Sequence, residues 1–287
     1  PERRGRALGA VMGAFSVASV LGVPAGLEMA RIGGWRLPFF AVAGLAVILN
    51  FMTFLFIPPL RAHLAHRKEH DLDISILSIL KRPAVQFGAL TGLVVMISSF
   101  SIIPNISAYL QYNAGYPREH LGLLYLFGGG FTFFTMRIAG RLTDRFGTMA
   151  VFSLATVLLS GLIFAGFGLD HPLFATLPLF VIFMVLNSTR NVAFQTIVTK
   201  IPRPVERARF QSLQSMIQHM GGAIGGVTST FFLREVPGPH LEGMGHLALF
   251  AIGLSYIAPF LIYQLERQMR GGTPAKVSAF DDTKIGY

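Results

Sequence analysis

Apolar and charged positions in this chain separate into long blocks rather than alternating over short segments. Seven stretches run 19 to 35 residues without Asp, Glu, Lys or Arg: 7–27, 37–60, 83–117, 146–169, 171–189, 210–233 and 243–265. An eighth, 121–136, has 16 such residues and reaches spanning length when 138–140 continue past Arg137. A hydrocarbon core of ~30 Å takes about 20 apolar residues per helix. Backbone groups in lipid must also pair within their own segment, which favours helices. The pattern predicts an all-α membrane protein with eight transmembrane helices. Composition agrees: 52% of the 287 residues are apolar and 13% charged, about half the charge of an average soluble domain.

The formal charge of +10 changes meaning once the 24 Lys and Arg are placed. Alternate loops carry 19 of them against 4, and one more, Arg190, falls inside a span. This positive-inside asymmetry predicts that both ends of the chain are cytoplasmic. It also accounts for the basic excess without nucleic acid, since no Lys/Arg stripe with interleaved aromatics lies outside the spans. Cysteine is absent, which excludes disulfides and thiolate sites. No paired carboxylates within a span, no metal-ligand spacing and no Gly-x-x-x-x-Gly-Lys loop occur. Neither an enzyme, nor a cofactor, nor a metal site is expected.

The charged stretch 61–82 is the natural linker. Residues 1–57 are read as two helices of one bundle. Residues 58–83 form a linker with a short interfacial helix at 72–80 capped by Asp71, 84–268 a six-helix bundle, and 269–287 a cytoplasmic tail. A shift of 203 places Arg4 on Arg207, Arg6 on Arg209 and Gly22 on Gly225. If the first two spans repeat the last two, the first bundle also has six helices, and four precede Pro1. The start at Pro1 then reads as an internal loop.

Gly140, Asp144, Arg145 and Gly147 match a G-x-x-x-D-R-x-G spacing between the fourth and fifth spans. Arg4, Arg6, Gly13, Gly22, Pro24 and Gly26 mark the first span, and Gly34, Trp35 and Arg36 open the second. Asn187, Arg190 and Asn191 lie together in the sixth. On these residues the chain resembles the major facilitator superfamily, helices 5–12 of its twelve-helix fold, and within it the bacterial drug- and sugar-efflux branch. The spacing Gly22, Pro24, Gly26 matches that branch's antiporter signature only in part. The resemblance implies secondary active transport of a small solute by alternating access, with the substrate cavity between two bundles. It also implies proton-coupled efflux and a monomer in a bacterial plasma membrane, with a small-molecule substrate, a proton gradient and the lipid bilayer as partners. A proton-coupled uptake permease, or a non-transporting sensor or scaffold on the same fold, are the rival readings. A coupling carboxylate is expected on the preceding helices, because no span here contains one.

The candidate residues fall into three groups. Asp144, read as sitting at the end of a short loop against a helix N-terminus, would latch with Gly140, Arg145 and Gly147 onto Arg4 and Arg6 and break when the cytoplasmic side opens. Gly13, Gly22, Pro24 and Gly26 would pack or seal the bundle interface, as small residues do in lipid. Arg190 is the sharpest: a charge inside a span costs at least ~2.5–3.5 kcal/mol, so it needs a partner. Backbone carbonyls, water, a carboxylate on the preceding helices or a substrate would serve, with snorkelling as the bland alternative. Arg190 is read as facing the substrate cavity, and Asn187 and Phe194 share its helical side and line it too. Asn105 with Ser98, Ser101 and Tyr109, and Gln214 and Gln218 with Gln211, form polar stripes that line a cavity or glue helices. His219, beside Gln218 near mid-span, is a candidate for proton coupling or for a hydrogen bond between helices.

Overall fold

The computed structural model describes residues 21–22, 24–56, 76–169, 175–203, 206–236 and 240–271. Arg4, Arg6, Gly13, Asp71 and the tail from 272 onward lie outside the described residues. The helices are α1 (24–33), α2 (Leu37–Phe56), α3 (Ile76–Leu80), α4 (Pro83–Tyr112) and α5 (Leu121–Phe146, led in by a 3-10 turn at Arg118–His120). They continue with α6 (Thr148–Ile163, ending in a π turn at Phe164–Gly168), α7 (Thr176–Val198), α8 (Arg207–Phe232), α9 (Met244–Ser255) and α10 (Ile257–Gly271). A two-stranded antiparallel hairpin, β1 (Arg234–Val236) with β2 (His240–Glu242), joins α8 to α9.

Among the described residues six segments are long and apolar enough to cross a membrane: Leu37–Phe56, Pro83–Tyr112, Arg118–Phe146, Thr148–Gly168, Thr176–Val198 and Met244–Met269. The first expected span lies mostly outside the described residues. The expected span 210–233 is a helix of 26 residues, about 39 Å long at 1.5 Å per residue. It is missing from the apolar set because Gln211, Gln214, Gln218 and His219 interrupt its apolar surface. Its expected place among the spans rests on its lack of charge and its length.

Local sequence explains the remaining boundaries. Pro83 opens α4 at a position where a missing N–H is harmless. The last expected span is divided between α9 and α10. Pro259 has no N–H for the carbonyl of Ser255 and its ring crowds that carbonyl, so the ladder is interrupted at Tyr256. Between α5 and α6 the connection shrinks to Gly147, whose φ of 86° suits glycine alone. Asp144 therefore stands in the last turn of α5, not in a loop at a helix N-terminus as its sequence context suggested.

The bundle core is in two parts. One, toward the side carrying most of the basic residues, joins Val85, Val94 and Val95 of α4 to Phe152, Phe194, Phe210, Leu213 and Ile262. The other, toward the hairpin, joins Ile102, Ile106 and Leu110 to Leu124, Phe167, Phe180, Phe183 and Leu247. Ile79 of α3, only 1% exposed, belongs to the first, so the described end of the linker helix docks into the bundle instead of lying free in the interface.

α4 and α8 pack most closely of all. A Cβ at Gly225 would stand 2.6 Å from the Ile97 carbonyl and 3.0 Å from the Ser101 nitrogen. One at Gly221 would stand 2.8 Å from Met96 Cβ. Small residues permit this backbone approach where apolar burial gives no net drive in lipid. Its supposed repeat counterpart differs: Cβ atoms at Gly22 and Gly26 would meet nothing within 4 Å, while Pro24 approaches Gly122 at the start of α5. α2 has no buried residue at all.

Candidate functional site

The two halves of the core are separated by a polar layer, and Arg190 is its centre. α4 supplies Ser98 and Ser99 between its two sets of core valines and isoleucines. α7 supplies Asn187 and Arg190, and Ser255 stands at the α9–α10 break. The Arg190 side chain is 1% exposed. Its Nη1 donates to Ser255 Oγ at 3.1 Å, and its Nη2 donates to Ser99 Oγ at 2.7 Å and Asn187 Oδ1 at 3.1 Å. Ser99 Oγ donates to the same amide oxygen at 3.1 Å. Ser98 Oγ lies 2.6 Å from Ser255 Oγ and donates to the Ala251 carbonyl at 3.0 Å. The Nε of Arg190 is buried and has no partner among the described residues.

This cage consists of neutral oxygens alone. None of the partners anticipated for Arg190 supplies it: the hydroxyls come from α4 and from a position 65 residues further along the chain. The two loop acids that sequence offered are engaged elsewhere. Glu28 pairs with Arg31, whose Nε donates to Oε2 at 2.9 Å, and this bond holds the Glu28 carboxyl below its ordinary value of 4.5. Glu206 pairs with Arg82: Nη1 donates to Oε2 at 2.5 Å, and Nη2 donates to the Ile201 carbonyl at 3.0 Å. That second pair clamps the start of α4 to the loop before α8, and Glu206 is 7% exposed. Sequence reasoning missed the clamp because 124 residues separate its members.

The other candidate residues distribute unevenly. Phe194 and Gln214 are buried and meet over Gly92, where a Cβ would stand 3.1 Å from Phe194 Cζ and 2.8 Å from Gln214 Nε2. Gln218 is half-buried and Gln211 and His219 are exposed; the Nε2 atoms of Gln214 and Gln218 have no partner among the described residues. Asn105 is half-buried and donates to the Ser101 carbonyl at 3.0 Å. Of the other cavity candidates, Asn187 alone hydrogen-bonds Arg190 among the described residues. At the far end of α5, Asp144 and Arg145 are exposed, with Arg145 over the Phe146 ring at 5.3 Å to the centroid. Asp144 has no ion pair among the described residues, and Gly140 has open space beside it.

On the hairpin side, Asn113 caps α4 and mimics a strand. Its Nδ2 donates to the Leu241 carbonyl at 2.9 Å and its Oδ1 accepts from the Leu241 N–H at 3.0 Å. Tyr109, Asn113, Phe167 and His240 line a cleft of about 360 Å³ there.

The sequence profile of the Major Facilitator Superfamily matches residues 1–226. The chain belongs to the Major Facilitator Superfamily. It is a multi-pass membrane protein of a transporter family. It is 32% identical over 145 residues to the chloramphenicol resistance protein of Streptomyces lividans, a stretch covering 50% of this chain and 36% of that protein. The chain thus spans about a third of the length of that relative. Among solved structures it is similar to a bacterial homologue of the iron transporter ferroportin in an inward-facing state, with a TM-score of 0.60 and 15% identity. That likeness covers 92% of this chain and 64% of the other, and at such identity it bears on fold alone.

Proposed function

We propose that the full-length protein is a secondary transporter that exports a drug-like or sugar-like small solute by alternating access, driven by a proton gradient across a bacterial plasma membrane. The observation that carries this reading is the 32% identity to a chloramphenicol resistance protein, together with the family match over residues 1–226. Both ends of this chain would be cytoplasmic, and the protein monomeric. The half-buried or exposed polar groups Asn105, Asn187, Gln218 and His219 would border the solute path, with Phe194 and Gln214 behind them. Arg190 would hold the helices that move as one body. Asp144, with Gly140, Arg145 and Gly147, would form a latch toward Arg4 and Arg6 that biases the inward-open and outward-open populations.

The test is counterflow in proteoliposomes. Vesicles preloaded with chloramphenicol or a sugar should accumulate the labelled solute, and an imposed pH gradient should drive net flux. No saturable flux for any of a broad solute panel would favour a non-transporting role. Asp144→Asn should slow flux far more than it weakens solute binding; unchanged turnover in a well-folded variant would remove the latch.

A further inference from the structure

The first helices meet the bundle along a seam with a charged rim. At the end of α5 opposite its arginine-bearing last turns, α1 comes against the bundle: a Cβ at Gly122 would stand 3.9 Å from Pro24 Cβ. Leu27 of α1 and Leu121 of α5 line two clefts beside this contact, of about 330 and 470 Å³. The apolar contact is light. Leu27 is 37% exposed, and Cβ atoms at Gly22 and Gly26 would meet nothing within 4 Å. Among the described residues the steric seal at this end therefore falls to Pro24 and Leu27, and α2 adds no buried residue to it.

The smaller cleft is lined by Glu28 and Arg31 from α1 and by Arg118 and Glu119 from the turn that leads into α5. Each wall carries one acid and one base. Arg31 is already oriented: its Nε donates to Glu28 Oε1 at 3.1 Å and Oε2 at 2.9 Å, one helical turn back. Glu28 first, and Glu119 from the opposite wall, hold the Arg31 charge, lifting its pKa above the ordinary value. No ion pair joins the two walls among the described residues, so this attraction acts across the cleft. Walls that are each neutral overall attract only at short range, because at a distance the acid and base of each cancel. We propose that Arg31 and Glu119 form an electrostatic lock that holds this end of the solute path shut and releases when α1 and α5 part. Glu28 keeps Arg31 in place, so less side-chain freedom is lost when the seam closes. The lock rests on the alternating-access reading for its part in transport but not for the attraction itself.

The experiment uses the full-length protein in phosphatidylcholine vesicles, with Ile32→Cys and Leu123→Cys as its only cysteines and a spin label on each. Both positions are exposed, at 72% and 45%, one on α1 and one on α5. Pulsed dipolar spectroscopy reads the ratio of far to near populations. At about 0.01 M salt, where charges are felt over ~30 Å, Glu119→Gln should raise that ratio about two- to fivefold, the range of an exposed ion pair. At about 1 M salt, with a screening length of ~3 Å, variant and wild type should converge. Arg31→Gln should act as Glu119→Gln does, and the double variant should shift the ratio no further than one alone. An unchanged ratio in Glu119→Gln, a shift indifferent to salt, or single shifts that multiply in full in the double variant overturns the proposal. The two readings fail separately. Charge-dependent distances without flux of any solute leave the lock and remove the transporter; flux with a ratio indifferent to Glu119 does the reverse.

Discussion

Arg190 and Arg137 occupy neighbouring helices of one bundle and live in opposite surroundings. Around Arg190, three helical segments converge and three neutral side chains take its N–H groups. Arg137 is exposed and lies over the Phe133 ring of its own helix. Among the described residues neither forms an ion pair. The difference teaches that the same side chain serves as a structural joint where oriented oxygens enclose it and as part of a charged helix end where an uncharged run stops, as 121–136 does just before Arg137.

The enclosed site should be the fragile one. Arg190→Lys keeps the charge but cannot reach three oxygens at once, leaving a poorly compensated cation at a cost of about 3–5 kcal/mol. Arg190→Met, similar in volume and uncharged, should cost less, because Ser99, Asn187, Ser98 and Ser255 already bond one another. Thermal unfolding followed by size-exclusion fluorescence ranks them, and Lys outperforming Met would show that the charge is needed for stability. Gly225→Ala comes next, at about 1–3 kcal/mol from overpacking against α4 backbone, with Gly226→Ala as the control because a Cβ there meets nothing within 4 Å. Equal melting temperatures for the two would contradict the close α4–α8 approach.

Smaller effects are expected at the edges. Glu206→Gln weakens a charge-assisted clamp whose Arg82 partner is 31% exposed, so about 1–2 kcal/mol is expected, visible as faster proteolysis near the start of α4. Glu28→Gln should be the mildest. Its carboxyl is depressed by Arg31, so whatever the pair contributes is present above the ordinary value of 4.5 and lost as pH falls through the lowered one. A melting curve against pH should differ between wild type and Glu28→Gln only above that window, and only slightly, since the pair is exposed. A difference confined to lower pH would reverse the sign.

What was legible in the sequence follows from what lipid demands of any chain. Long uncharged runs gave the helices and their order, the charge count of the loops gave an orientation to test, and the G-x-x-x-D-R-x-G spacing pointed to the family that the profile match establishes. Pro83 and Gly147 marked helix ends by chemistry that acts within a few residues. The tertiary structure alone decided which polar groups meet. Ser99, Asn187, Arg190 and Ser255 lie on three separate segments, and Arg82 and Glu206 on two, so no local spacing could pair them. The side of α7 that turns Arg190 toward Ser99 and Ser255 was likewise undetermined, because a helix's own sequence gives the angles between its residues but not the direction in which its neighbours stand.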